Sequence, residues 1–175
     1  AEKIHREDHS PLVLQAAGIA MGKTRLSGVY EKLSAAFGKR ESWHDYYDVG
    51  IIQGMAELKS DERVLSFLVK NIKPGRSMFL RRAAVSALAK YAKAKPALVL
   101  DTLIDLLNDR NFYVRLYAIA ALESLGDDSA AGALRKLSDS SVEPRTARHA
   151  LLASKSLREG KTASEEVEKV KADFD

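Results

Sequence analysis

The residues best equipped for chemistry stand at the start of the chain. His5 and His9 are four apart in the run His5-Arg6-Glu7-Asp8-His9. On a helix that spacing shares one face, where two imidazoles can hold a divalent metal. A helical zinc site of the hydrolytic kind places its glutamate base directly after the first histidine, and Arg6 occupies that place. His44 and His149 have no evident third partner. The pair at His5 and His9 therefore reads as a solvated terminus, and His44 and His149 as surface or packing residues. The chain has no cysteine, which removes thiolate, disulfide and cysteine-zinc chemistry and fits a cytoplasmic location. No glycine-rich loop is placed to cradle a phosphate, and no serine sits in a recognisable elbow beside a base. The sequence assigns this chain no catalytic residue, no metal and no cofactor.

Its charge could do binding instead. The net charge is +4 and the sequence pI about 9.2. Residues 63–100 hold nine basic side chains and no acid: Arg63, Lys70, Lys73, Arg76, Arg81, Arg82, Lys90, Lys93 and Lys95. Lys70, Lys73, Lys90 and Lys93 are expected in the last turns of two helices, where cations offset the helix dipole. Arg81 falls at a position of the repeat where it is expected to bond within the stack, which leaves Arg63, Arg76, Arg82 and Lys95 for a solvated face or an acidic partner. The count is thin for the several phosphate contacts that nucleic acid requires.

The elements that carry these residues repeat. Val114-Arg115 with Ala118, Ala121 and Leu122 recurs 34 residues earlier as Leu80-Arg81, Ala84, Ala87 and Leu88. It recurs 33 before that as Tyr47-Asp48, Ile51, Gly54 and Met55, and 34 before that as Val13-Leu14, Ala17, Ala20 and Met21. A period in this range marks a stacked helical array. Each unit reads as two helices. In one unit, residues 96–107 show Leu100, Leu103, Ile104 and Leu107 at helical spacing, then a turn at 108–111. A second helix follows from Phe112 to Leu125, with Gly126 as its stop. In the unit before, Asp61-Glu62 opens a helix with Val64, Leu65, Leu68, Val69 and Ile72 inward, and Lys73-Pro74-Gly75 ends it. Ser77 then precedes a helix reaching about Lys93. Residues 24–37 read as one helix with Leu26, Val29, Tyr30, Leu33 and Phe37 inward, stopped by Gly38. Ser42 and Asp45 look like a cap for the next. Small residues are expected at close approaches: Ala17, Ala20, Gly54, Ala84, Ala87, Ala118 and Ala121, with Gly18 and Gly22 small for the same reason. Helices at 128–137 and 144–157, the latter with Ala147, Ala150, Leu151 and Leu157 inward, read as a capping unit. Residues 161–175 read as a charged final helix that either frays or, the favoured reading, folds back over the open end of the stack.

These residues resemble HEAT repeats. The resemblance covers about residues 8–158. It implies an all-α, right-handed α-solenoid, with residues 1–160 forming about five helix pairs. The HEAT pattern puts an aspartate in the turn and an arginine six residues later. Asp109 and Arg115 match both, and Arg81 matches with Gly75 in place of the acid. Asp8 has Leu14 in place of the arginine, Ser42 and Asp48 match neither place, and Asp139 with Arg145 match in spacing only. Asp109, Arg115 and Arg81 are thus expected to form a structural ladder. One position before each Val-Arg-type pair, Tyr46, Phe79 and Tyr113 recur, with Leu12 in the first unit. In HEAT arrays the second helices line the concave face. The aromatic column, with Arg82 and Leu116 one turn on, is therefore the candidate binding ridge. The competing reading is that the rings seal the inter-repeat core.

A narrower resemblance rests on Ser42-Trp43, Asp48-Val49, Gly54-Met55-Ala56-Glu57-Leu58, Asn111-Phe112-Tyr113-Val114-Arg115 and Leu157-Arg158-Glu159-Gly160. These look like the HEAT-type tail of prokaryotic gluzincin zinc aminopeptidases, which implies a non-catalytic module packed beside a zinc domain. The start at Ala1 fits a piece of a longer protein. The expected partner is then a protein or peptide, including its own missing N-terminal catalytic domain, and not a membrane. Two alternatives stay open: a nucleic-acid-binding HEAT-like protein, as in some DNA glycosylases, and an enzyme of the phycobilin-lyase kind. The second needs a tetrapyrrole pocket that no residue pattern identifies.

Overall fold

The computed structural model describes residues 10–58 and 61–160. The histidine-bearing start and the expected helix at 161–175 lie outside the described residues. Those that are described form helices and turns without strands. The helices are α1 (Pro11–Thr24), α2 (Val29–Ala36), α3 (Tyr46–Met55), α4 (Glu62–Ile72) and α5 (Met78–Leu88). They continue as α6 (Pro96–Asp105), α7 (Phe112–Leu125), α8 (Ala131–Ser140) and α9 (Pro144–Glu159). No described helix is long and apolar enough to cross a membrane.

The chain divides into two compact units, 1–94 and 95–175. The division falls between helix pairs. In the first unit α1, α3 and α5 pack in sequence, while α2 backs onto α3 and α4 onto α5. In the second, α6 backs onto α7, α8 onto α9, and α7 packs on α9. Each unit thus carries one layer of first helices on one layer of second helices.

Local chemistry sets most ends. The Asp61 carboxylate caps α4 by accepting from the Arg63 N–H at 3.0 Å. Val64, Leu65, Leu68 and Ile72 then fall on one buried face, each burial stabilising by about 1.5–3 kcal/mol. Ser77 caps α5 through the Leu80 N–H, and Asn111 caps α7 through Tyr113 and Val114 N–H. Gly126 ends α7 in the left-handed region, at φ 70°.

Four expectations are corrected. Residues 24–37 are not one helix: α1 runs on to Thr24, Arg25 turns left-handed at φ 52°, and α2 begins only at Val29. Leu26 is consequently in a turn and 68% exposed. The helix after Ser77 is α-helical only to Leu88 and tightens to a 3₁₀ turn at Ala89–Tyr91. Ala20 is exposed, because glycines make the close approach instead. A Cβ on Gly22 would lie 1.9 Å from the Gly54 carbonyl oxygen, and one on Gly18 2.7 Å from that of Gly50. Finally, Asp139 is not a turn residue; it lies in α8 and pairs with Arg135 at 3.1 Å.

Candidate functional site

Two successive residues before α3, His44 and Asp45, adopt left-handed backbone at φ 52° and 55°. Such conformations are strained for residues with a Cβ and persist only where surroundings fix them. Here Ser42 Oγ accepts the Tyr47 N–H at 2.9 Å, and the Asp45 carboxylate accepts the Ser77 hydroxyl. Ser42 therefore works as a cap, whereas the acid beside it binds the head of α5 rather than the helix it precedes.

The effect is to lay the His44 ring on Phe79, stacked at 4.3 Å with 19° between planes. Tyr46 lies 6.3 Å from His44, and the Arg82 guanidinium 5.8 Å from the Phe79 ring, a cation–π distance. Tyr46, Phe79 and Arg82 are half-buried and His44 is exposed. Three expected ridge residues thus come together in the first unit, with His44 added. His44 is the surface and packing residue expected from the sequence, but its stacking partner could not be read there, because Phe79 is in the next repeat.

In the second unit Tyr113 is 45% exposed and meets Phe112 edge to face at 5.3 Å. Arg115 and Arg145 stand 5.9 and 5.8 Å from the Phe112 ring. Leu116 is half-buried.

The arginines of the repeat pattern bind backbone. Arg81 is buried and donates from Nε to the Ile72 carbonyl at 2.5 Å, at the end of α4. Arg115 donates to the carbonyls of Asp109, at 2.7 Å, and Arg110, at 3.2 Å, and pairs with Glu143. Each satisfies carbonyls left over where a first helix or its turn ends. The Asp109 carboxylate accepts the Asn111 N–H at 2.8 Å, holding the turn. The Glu143 carboxyl lies below its usual range because Arg115 and Thr146 donate to it.

Several cations of the acid-free stretch are spoken for. Arg63 pairs with Asp61 and Glu31 and lies 4.1 Å over the Tyr30 ring, so it is not part of an unpaired basic surface. Lys90 sits in the 3₁₀ turn and reaches Glu57 at 2.8 Å; an ion pair, not only the helix dipole, holds it. Among the described residues no three His, Cys, Asp or Glu side chains gather in a way that could hold a metal.

Residues 77–155 match the family model for HEAT repeats. No curated protein matches the chain. Among solved structures, the chain resembles one from the complex of CpcE and CpcF of phycocyanin lyase from Nostoc sp. PCC7120. The TM-score is 0.68 and the identity 20%, over 83% of this chain and 91% of that one. The fold is therefore the all-α solenoid class built of HEAT-like helical repeats.

Proposed function

We propose that this chain is a non-catalytic protein-interaction module of HEAT-like repeats that works in complex with a protein partner. The observation that carries the reading is the group of His44, Tyr46, Phe79 and Arg82 at the heads of α3 and α5. Aromatic and arginine side chains held on rigid helix ends, partly open to solvent, are the usual anchors of a protein interface. The likeness to a chain found in a complex of two proteins supports a protein as partner. The test is co-purification from the source cells, comparing the native chain with a Phe79→Ala/Arg82→Ala variant. Retention of a protein that falls on the order of tenfold in the variant is expected; equal retention by both would sink the reading.

A second reading is favoured by the same likeness, which is to a phycocyanin lyase chain: a role in handling a linear tetrapyrrole. At 20% identity the likeness carries fold only. Titration with a linear tetrapyrrole, followed by its visible absorbance, separates the two, since a pure protein-binding module leaves the spectrum unchanged. Membership in a zinc aminopeptidase-like protein rests on the residue runs alone, and the comparisons lend it no support.

A further inference from the structure

We propose that the groove between α2 and α4 binds a small organic anion with an aromatic or branched apolar body. The groove is open to solvent and offers about 550 Å³, room for a small molecule that stays partly exposed. It shares no residue with the aromatic group at α3 and α5, and it stands or falls independently of the interaction reading.

The groove exists because α2 is short. Gly28, at φ 78°, precedes its first residue, and Phe37 already leaves the helix. The longer α4 runs past it. The two helices are bridged at one end by Arg63, which reaches Glu31 and the Tyr30 ring. Further along, Phe37 and Phe67 meet edge to face at 4.9 Å. Both rings are half-buried and line the space between, which supplies an apolar surface.

Three cations line the same groove: Arg63, Lys70 and Arg76. Arg63 is balanced by Asp61 and Glu31. Lys70 and Arg76 are exposed, and among the described residues neither side chain forms an ion pair. Asp48 lies within electrostatic reach of Arg76, but it is buried and its Oδ1 accepts the Gly38 N–H at 2.9 Å. Asp45 accepts the hydroxyl of Ser77, the residue after Arg76, but forms no ion pair with Arg76. Two positive charges thus remain for a ligand's anionic group.

A buried amide gives the second, independent pointer. Asn71 is 1% exposed and lines the groove. Its Nδ2 donates to the Phe67 carbonyl at 2.8 Å, while its Oδ1 has no hydrogen-bond partner. Buried acceptors are rarely left so. The oxygen is sealed from the open groove, so a ligand N–H or O–H supplies the missing bond only as neighbouring side chains move aside. The preferred ligand therefore combines an anionic group, an apolar body and a donor.

The probe is 8-anilinonaphthalene-1-sulfonate, which has a sulfonate, fused and single rings, and an N–H. Its fluorescence is titrated against the folded full chain, with helix content checked by circular dichroism. Saturable one-site binding is expected. Lys70→Ala/Arg76→Ala, both at exposed positions, should weaken it about tenfold, the scale of one charge-assisted contact. Lys70→Arg/Arg76→Lys should restore it, and Lys93→Ala, outside the groove, should leave it unchanged. The uncharged analogue N-phenyl-1-naphthylamine should bind at least about tenfold more weakly. Unsaturable binding, equal binding by the double alanine variant, or equal binding of the neutral analogue overturns the proposal. Phe79→Ala/Arg82→Ala should not affect this titration, so its result is read apart from that of the interaction test.

Discussion

Asp48 and Glu143 are two carboxylates that respond to acid in opposite directions. Burial holds the Asp48 carboxyl above its ordinary range, although the Gly38 N–H and Arg76 oppose the shift. A folded value above the unfolded one means that the charged form costs stability at neutral pH. That cost is relieved as pH falls through the folded value. Asp48→Asn keeps an acceptor for Gly38 and removes the charge. It should raise the melting temperature at pH 7, and the gain should shrink as the pH falls toward 4; a gain unchanged with pH would contradict the burial argument. Glu143 has the reverse sign. Arg115 and Thr146 hold it below its usual range, so its contribution is present above the unfolded value and lost as pH falls through the folded one. Arg115→Ala leaves carbonyls of Asp109 and Arg110 without their donor. It should cost about 1–3 kcal/mol in urea unfolding and flatten the acid limb that Glu143 contributes. At this scale the repeat pattern showed which arginines matter, because Arg81 and Arg115 recur in register. It could not show that they bind carbonyls, since a carbonyl carries no sequence signal. The place of His44 on Phe79 was not legible for a related reason: two left-handed residues in a row leave no mark in composition.

Helix ends were legible where their signals are local. α7 begins at its Asn111 cap and stops at Gly126, and both are visible in the chain. The break between α1 and α2 was not, because apolar spacing continues across it from Met21 to Leu26 and Val29. Only the backbone at Arg25 and Gly28 reveals the turn. The glycines of α1 and α3 support a sharper claim. Gly22→Ala drives a methyl into the Gly54 backbone, where no side chain can move aside. It should cost about 1–3 kcal/mol or more. Gly132 in α8 is exposed with nothing near its missing Cβ. Gly132→Ala should instead stabilise by about 0.4–1 kcal/mol. Thermal or urea unfolding of both variants checks the contrast, and similar losses at both positions would refute it.

At the scale of the molecule, each compact unit has its own apolar centre. Leu33, Ile51, Ile52, Met55, Leu68 and Leu88 are fully buried in the first, and Leu103, Leu122 and Leu134 in the second. Repeat proteins draw stability from such local sums. Leu134→Ala, at about 2–5 kcal/mol, should therefore speed amide exchange in α6–α9 well before it does so in α1–α5. A uniform rise through both units would show a single cooperative block. The repeat period made this organisation readable, because it reports a unit that is copied. It says little of what any copy binds, since the proposed contacts are departures from the pattern: a short α2, a stacked histidine, an amide oxygen without a partner.

The seam between α1 and α3 has one more consequence. Gly18, Gly22, Gly50 and Gly54 let main chain lie on main chain, so at these four positions there are no rotamers to freeze or rearrange. In a saturation library these four positions should read as columns where every alternative is depleted, although no side chain there touches anything. Silence of the side chain and intolerance of the site would coincide, and a survey that ranks positions by the contacts their side chains make would pass over this joint.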